Sequence, residues 1–246
     1  MVKAPSFIFI ILSFIFLLFS AINFAMSIEQ NKMQQQNHAP VVKIISPANN
    51  STLPAGAQVH YSVTVSDKED GESKYDEINQ KEVLLEVKYI NNESKLAAER
   101  DKAVQNDPSG LATIRTSNCF NCHSFNSKGI GPSFNDINKR YKPTAANMAL
   151  LEKSIREGSS GVWGNVKMPT HPELSREQIQ SMVKWIMQNA SAPGIDYHIG
   201  IEGSFALPAW NAVLLLIASY TDHGIPTDST HRLKGQDVIV IRTNKN

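Results

Sequence analysis

The 246-residue chain has only two cysteines, Cys119 and Cys122. Two thiols cannot frame a disulfide-built scaffold or supply an all-cysteine four-ligand metal site. An excess of one charge is also missing. The chain carries 24 basic and 23 acidic side chains, a formal charge of +1, and no basic run gathers the positive half. That excludes a nucleic-acid binder relying on bulk charge. Hydrophobic residues make up 41% and charged residues 19%, near globular averages, so wholesale disorder is excluded as well. No solenoid-type repeat is visible. At roughly 100–200 residues per domain, one or two domains are expected.

One long apolar run is present. Residues 7–19 are almost wholly Phe, Ile and Leu, with Lys3 before them and Ser20, Ala21, Ala25 and Ser27 after. A positive start, an apolar core and small residues at its end describe a secretory signal, cleaved near Ala25 or Ser27. Phe7 to Met26 also approaches a bilayer span, so an uncleaved membrane anchor is the second reading. Both place the rest of the chain outside the cytoplasm, periplasmic or anchored facing the periplasm. Without a cysteine at the end of the run, a lipoprotein anchor is not expected. Residues 1–26 are therefore signal or anchor, and 27–39 a polar spacer.

Beyond the spacer the order is β, α, β. Val59, Tyr61, Val63 and Val65 alternate with polar neighbours, as do Val83, Leu85, Val87 and Tyr89, the period of half-buried strands. Turn-rich stretches separate them, so residues 40–91 read as β. Residues 92–107 read as a connection. Helical spacing follows: Leu111 and Ile114 on one face, Met148, Leu151 and Ile155 on another, with Gly158 as a stop. Ser175 and Gln178 form a capping-box pattern. It opens a helix with Ile179, Met182, Val183, Ile186 and Met187 on one side. Strands return near Tyr197, with apolar runs at Leu214–Tyr220 and Val238–Ile241.

The chemistry lies at Cys119-Phe-Asn-Cys122-His123. C-x-x-C-H is the attachment signature of c-type haem. Two thiols at this spacing add to the two vinyl groups of one porphyrin, and the adjacent histidine binds iron from one side. Three rivals fit less well. A thioredoxin-like redox pair wants a βαβ setting. Zinc needs four ligands, and no second ligand pair at suitable spacing is present. A plain structural disulfide leaves the histidine unexplained. For the other side of the iron, the candidates are Met148, Met168, Met182, Met187 and His171. Met148, Met182 and Met187 sit at helical core spacings, which packing explains. Met168 sits in a Gly-rich loop with Pro169 after it, where helix packing gives no reason for a methionine. Gly110 and Ile114 have a spacing that lets a first helix cross the last one closely.

These motifs resemble the small class I bacterial cytochromes c, over about residues 106–190. Besides Cys119–His123, the resemblance rests on Gly131-Pro-Ser-Phe-Asn-Asp-Ile137, on Gly158 through Met168-Pro169, and on Leu174 through Ile186. It implies one covalent haem c, with Cys119 and Cys122 as attachment points and His123 and Met168 as axial ligands. It makes Pro132 the carbonyl acceptor for the histidine ring N–H, and Trp185 the aromatic at the crossing near Gly110. Trp163 either covers a haem edge or hydrogen-bonds a propionate, or is a core aromatic.

Two filled axial positions suit one-electron exchange and leave no site for substrate, so the expected function is electron transfer, not catalysis. The resemblance implies separate redox partner proteins, a sugar dehydrogenase among the candidates. The flanking segments resemble the halves of an immunoglobulin-like sandwich of the polycystic-kidney-disease (PKD) type. Pro40–Pro47 and Val59–Gly71 match the first half, and Leu214–Gly224 and Val238–Arg242 the second. The expected fold is α+β: an all-α cytochrome domain, residues 92–195, inserted in or flanked by a β sandwich with halves 40–91 and 196–246. Two separate β units, or a C-terminal hairpin lying on the cytochrome, are the other arrangements. Two functional alternatives stand: a cell-surface module binding glycan or protein and carrying haem, and a haem gas sensor with an open iron position.

Overall fold

The computed structural model describes residues 20–24, 26, 36–103 and 107–244. The apolar run of residues 7–19 lies outside them, as does most of the spacer. Among the described residues no helix is long and apolar enough to cross a membrane. The end of the spacer is tied down. Asn37 Nδ2 donates to Asp222 and to the His231 carbonyl, and His38 Nδ1 lies 2.7 Å from Glu69.

Among the described residues, nine strands flank a helical middle. Before it come β1 (Val41–Ser46), β2 (Thr52–Pro54), β3 (Gln58–Asp67), β4 (Gly71–Glu72) and β5 (Leu84–Ile90). After it come β6 (Ile195–Ile199), β7 (Glu202–Ala206), β8 (Val213–Thr221) and β9 (Lys234–Asn244). Several of these are too short to show a period of two, so the sequence pattern reveals fewer. The two flanks share both sheets. In one, β3 pairs antiparallel with β1, β4 and β7. In the other the order is β2-β9-β8-β5-β6, with only the β2–β9 pair parallel. Val42, Val63 and Val65 of the first sheet and Leu85, Leu216 and Ile241 of the second belong to a single buried core.

β5 and β6 are neighbours, with Lys88 opposite Ile195. The chain therefore leaves the sheet at Ile90, builds the whole helical middle and re-enters beside its exit point. Residues 92–107 differ from the plain connection expected. They include α1 (Leu96–Ala103), whose Leu96 and Ala103 join Leu215, Ile217 and Val240 in a small cluster on the outer face of the second sheet. Two apolar residues seven apart are one stripe of a short helix, too thin a signal to see without the sheet it covers.

The helical middle comprises α2 (Ser109–Thr116), α3 (Phe134–Arg140), α4 (Ala145–Glu157) and α5 (Arg176–Asn189). Thr144 caps α4, accepting from the Asn147 N–H, and Gly158 ends it at φ 79°. The Ser175–Gln178 capping box opens α5. α2 crosses α5 at Gly110, where an added Cβ would run into the Ser181 carbonyl and lie 2.6 Å from Trp185 Cβ. Only a residue without a side chain permits that approach.

The middle is seated on the second sheet, not tethered to it. β5 turns Val83, Leu85 and Val87 toward the sheet core, while Leu84 is buried among the helices. Tyr197 of β6 stacks on Phe125 at 4.7 Å and meets Trp185 edge-on at 5.7 Å. Arg115 of α2 bonds Asp107 at 2.8 Å, Ser219 Oγ at 2.9 Å and the Ser219 carbonyl at 3.0 Å. Lys234 of β9 reaches Asp107 at 2.6 Å.

Candidate functional site

Asn118 takes a left-handed conformation, φ 58°, and turns the chain from α2 into a 3-10 turn, Cys119–Asn121. The His123 N–H bonds the Cys119 carbonyl at 2.9 Å, so both cysteines and the histidine sit on one tight turn. Backbone bonds from Gly131 to the Cys122 carbonyl and from Phe134 to the Ser124 carbonyl, both 2.9 Å, close the following loop. That loop brings Pro132 under the imidazole, with His123 Nδ1 lying 2.7 Å from the Pro132 carbonyl oxygen. A carbonyl only accepts, so Nδ1 carries the proton and Nε2 the lone pair. Nε2 has no hydrogen-bond partner among the described residues. Phe134 stacks on the imidazole at 5.4 Å and 17°. On its other contact, a Cβ at Gly131 would lie 2.7 Å from His123 Cε1.

Burial lowers the His123 pKa; the Pro132 bond opposes this, and the charge of His171 lowers it further. The ring is therefore neutral at neutral pH. Burial pushes the Cys119 thiol up to about 12, with smaller contributions from Cys122 and Glu173 opposed by a backbone hydrogen bond. Among the described residues no group of three or more His, Cys, Asp or Glu could hold a metal ion.

Met168 lies on the loop after α4. Its N–H bonds the Ser159 carbonyl at 2.8 Å, and the Ser159 N–H returns to the Met168 carbonyl at 3.3 Å. Gly158 lets the strand pair close, since a Cβ there would meet the Met168 carbonyl at 2.7 Å. The competing methionines separate by burial. Met182 and Met187 are buried in the core; Met168, Met148 and Cys119 are only partly buried against the same cluster. His171 gives its Nδ1 to Glu173 at 2.8 Å. Trp163 is half-buried, with the Arg140 guanidinium 5.0 Å above its ring and Tyr141 edge-on at 6.5 Å. Trp185 and Gly110 meet at the α2–α5 crossing.

The donor set fits a c-type haem. It offers two cysteines and a histidine on one turn, an oriented neutral imidazole with a free Nε2, and a fixed thioether loop on the same core. Comparison with known proteins agrees. The family model described as cytochrome c matches residues 110–190. The chain is 37% identical over 83 residues to cytochrome c2 of Rubrivivax gelatinosus, covering 33% of this chain and 95% of that protein. It is 32% identical over 78 residues to cytochrome c-551 of Azotobacter vinelandii, covering 32% of this chain and 94% of that protein. The chain belongs to the cytochrome c family. The cytochrome domain is of class I and single-haem, and it holds one covalently attached haem c. Among solved structures, cytochrome c552 of Nitrosomonas europaea is similar at 31% identity, covering 31% of this chain and 95% of that chain with a TM-score of 0.30. By its family model and its sequence relatives, this cytochrome is an electron-transfer haem protein. The matches cover about a third of the chain and leave the sheets outside.

Sequence reasoning missed the seam: Arg115, Asp107, Ser219, Lys234, Leu84 and Tyr197. The one local signal was a charged residue beside Ile114 on the apolar side of a helix.

Proposed function

We propose that this cytochrome is an exported carrier of single electrons, with Cys119 and Cys122 as the thioether links and His123 Nε2 and Met168 as the axial ligands. When bound, the haem supplies an iron that alternates between ferric and ferrous. The chain's own residues hold both ligands still. The observation that carries the reading is the 2.7 Å bond from His123 Nδ1 to Pro132, which fixes tautomer and ring orientation and leaves Nε2 available. The Ser159–Met168 backbone bridge fixes the chain at the residue that carries the thioether. A closed, rigid ligand set limits rearrangement on electron exchange and leaves no open position for a gas or substrate. Met168→Ala tests it. Expected outcomes are a lower midpoint potential, loss of the ferric methionine–iron charge-transfer band and new binding of carbon monoxide. Met182→Ala, deep in the core, should keep the band and cost about 2–5 kcal/mol of stability. Equal behaviour of the two variants would refute the assignment.

The signal-like residues 1–26 support export, to the periplasm or to a membrane anchor facing it. The partners would be separate redox proteins, a dehydrogenase among them. The two sheets around one core read as an immunoglobulin-like, PKD-type sandwich with halves 40–91 and 196–246, and the cytochrome as an insertion between β5 and β6. A second reading, a surface-binding module, has one observation in its favour. A groove of about 440 Å³ is lined by Tyr89, Asn91, Pro208 and Trp210, and the Trp210 side chain is 62% exposed. Retention of the protein on a neutral polysaccharide column, lost in Trp210→Ala, would support it.

A further inference from the structure

A second cavity, of about 220 Å³, lies where the cytochrome meets the sheets. Arg115, Thr116 and Asn118 line it from the cytochrome side; Glu82, Thr221, His223 and Arg232 line it from the sheet side. A single water takes roughly 30 Å³ of liquid, so the space is several waters or one polyatomic ligand.

The donors around it are unevenly satisfied. Arg115 is buried, its side chain 2% exposed, and its two terminal nitrogens are taken by Asp107, Ser219 and the Glu82 carbonyl. Its Nε is buried with no hydrogen-bond partner. Arg232 gives its Nε to the Ser229 carbonyl and makes no ion pair among the described residues. The side chains of Asn118 and Thr221 have no hydrogen-bond partner among the described residues either. The hydroxyl of Thr116 is spent on the carbonyls of α2.

Each carboxylate nearby faces a cation, although Glu82 Oε2 is buried without a hydrogen-bond partner. Asp107 faces Arg115 and Lys234. Asp70 and Glu82 hold the two nitrogens of His223 at 3.2 and 3.1 Å. Glu82 is the one carboxylate on the cavity wall, and it shares the His223 imidazolium with Asp70. Arg115, Lys234 and His223 thus match Asp107, Asp70 and Glu82 in number, and the charge of Arg232 remains over, together with the buried Arg115 Nε–H, an amide and a hydroxyl able to donate. Uncommitted positive charge and free N–H and O–H donors around one small space describe a receptor for an anion.

We propose that this seam cavity binds a small tetrahedral oxyanion, phosphate or sulfate, held by Arg115, Arg232, Asn118 and Thr221. The ligand would touch residues of both parts of the chain, and so bridge them. Asn118 directly precedes Cys119, which places the anion next to the haem-attachment turn.

Isothermal titration of the full-length haem-loaded protein with inorganic phosphate, and separately with sulfate, tests the proposal. One saturable site is expected for at least one of the two anions. Arg232→Gln and Asn118→Ala should each weaken it, the first by about tenfold or more, as loss of a charge-assisted hydrogen bond requires. Circular dichroism would establish that both variants are folded. No saturable heat with either anion overturns the site, as does affinity unchanged in Arg232→Gln. Chloride binding as tightly as phosphate and sulfate would also overturn it, because a diffuse positive field and not a built receptor would then be at work.

Discussion

At the scale of single residues, the imidazole of His123 is held on three sides by neighbours within eleven positions of it. Gly131 is one of them, and its lack of a side chain is what the ring packs against. Gly131→Ala would place a carbon 2.7 Å from Cε1 and 3.0 Å from Nδ1, so the ring must tilt away and its bond to Pro132 stretch. The expected cost is on the order of 1–3 kcal/mol of stability, the usual range for overpacking. The His123 ring proton should also exchange faster with solvent in the variant, read by NMR of the ferrous protein. Unchanged exchange would mean that the contact does not position the ring. His223 offers a second test. Its bonds to Glu82, and secondarily the charge of Asp70, raise its pKa from 6.5 to about 9 despite partial burial. The folded state therefore binds the proton more tightly than the unfolded chain does. Its stabilisation is fully present below about pH 6.5 and is lost as pH rises toward 9. Urea denaturation across that window should show falling stability in the native protein and a flatter profile in His223→Gln.

Elements show why some of this was legible in the sequence and some was not. The haem turn, the Gly131–Pro132 pair and the Met168 loop each occupy a few consecutive residues, so their chemistry survives in a linear reading. The capping box of α5 is local in the same way. The seam is not. Arg115 and Ser219 are 104 positions apart, and nothing near either announces the other. Leu84 reads as the polar-side residue of an alternating strand, yet it is buried because the cytochrome covers that side of β5. Burial raises the pKa of Asp107, but the charges of Arg115 and Lys234 outweigh it and hold the carboxyl below the usual range. Breaking this arrangement should be costly. Arg115→Ala leaves Asp107 buried with Lys234 alone, and about 3–5 kcal/mol is expected to be lost. Lys153 makes a solvent-exposed pair with Glu157 at 3.7 Å, and Lys153→Ala should cost under about 0.5 kcal/mol. Paired urea titrations of the two variants check the contrast; similar losses would mean that the seam pair is as weak as a surface one.

For the molecule as a whole, the order of the strands makes the cytochrome the contents of one hairpin loop. β5 and β6 pair directly, so the insertion begins and ends at adjacent points on the second sheet. Such an insertion asks little of the host, because its ends are already close. The sheets hold a core of their own, with residues from both flanks, and β8 is central to it. Excising residues 92–193 and joining Asn91 to Gly194 through a short Gly/Ser turn should therefore restore an ordinary hairpin and leave a folded β protein. The excision also uncovers Leu84 and Tyr197, which the cytochrome buries, and Leu215, Ile217 and Val240, which α1 covers, and it removes Arg115 from Ser219. Uncovering five large apolar side chains, wholly or in part and at up to about 1.5–3 kcal/mol each, predicts a product that unfolds cooperatively but earlier than the intact chain. It should also self-associate through the bared face. Adding Leu84→Thr and Tyr197→Thr, both strand-compatible, should weaken the association while leaving the β circular dichroism intact. An excised chain without cooperative β structure, with or without those two changes, would show that the sheets depend on the cytochrome to fold and that neither part is the host of the other.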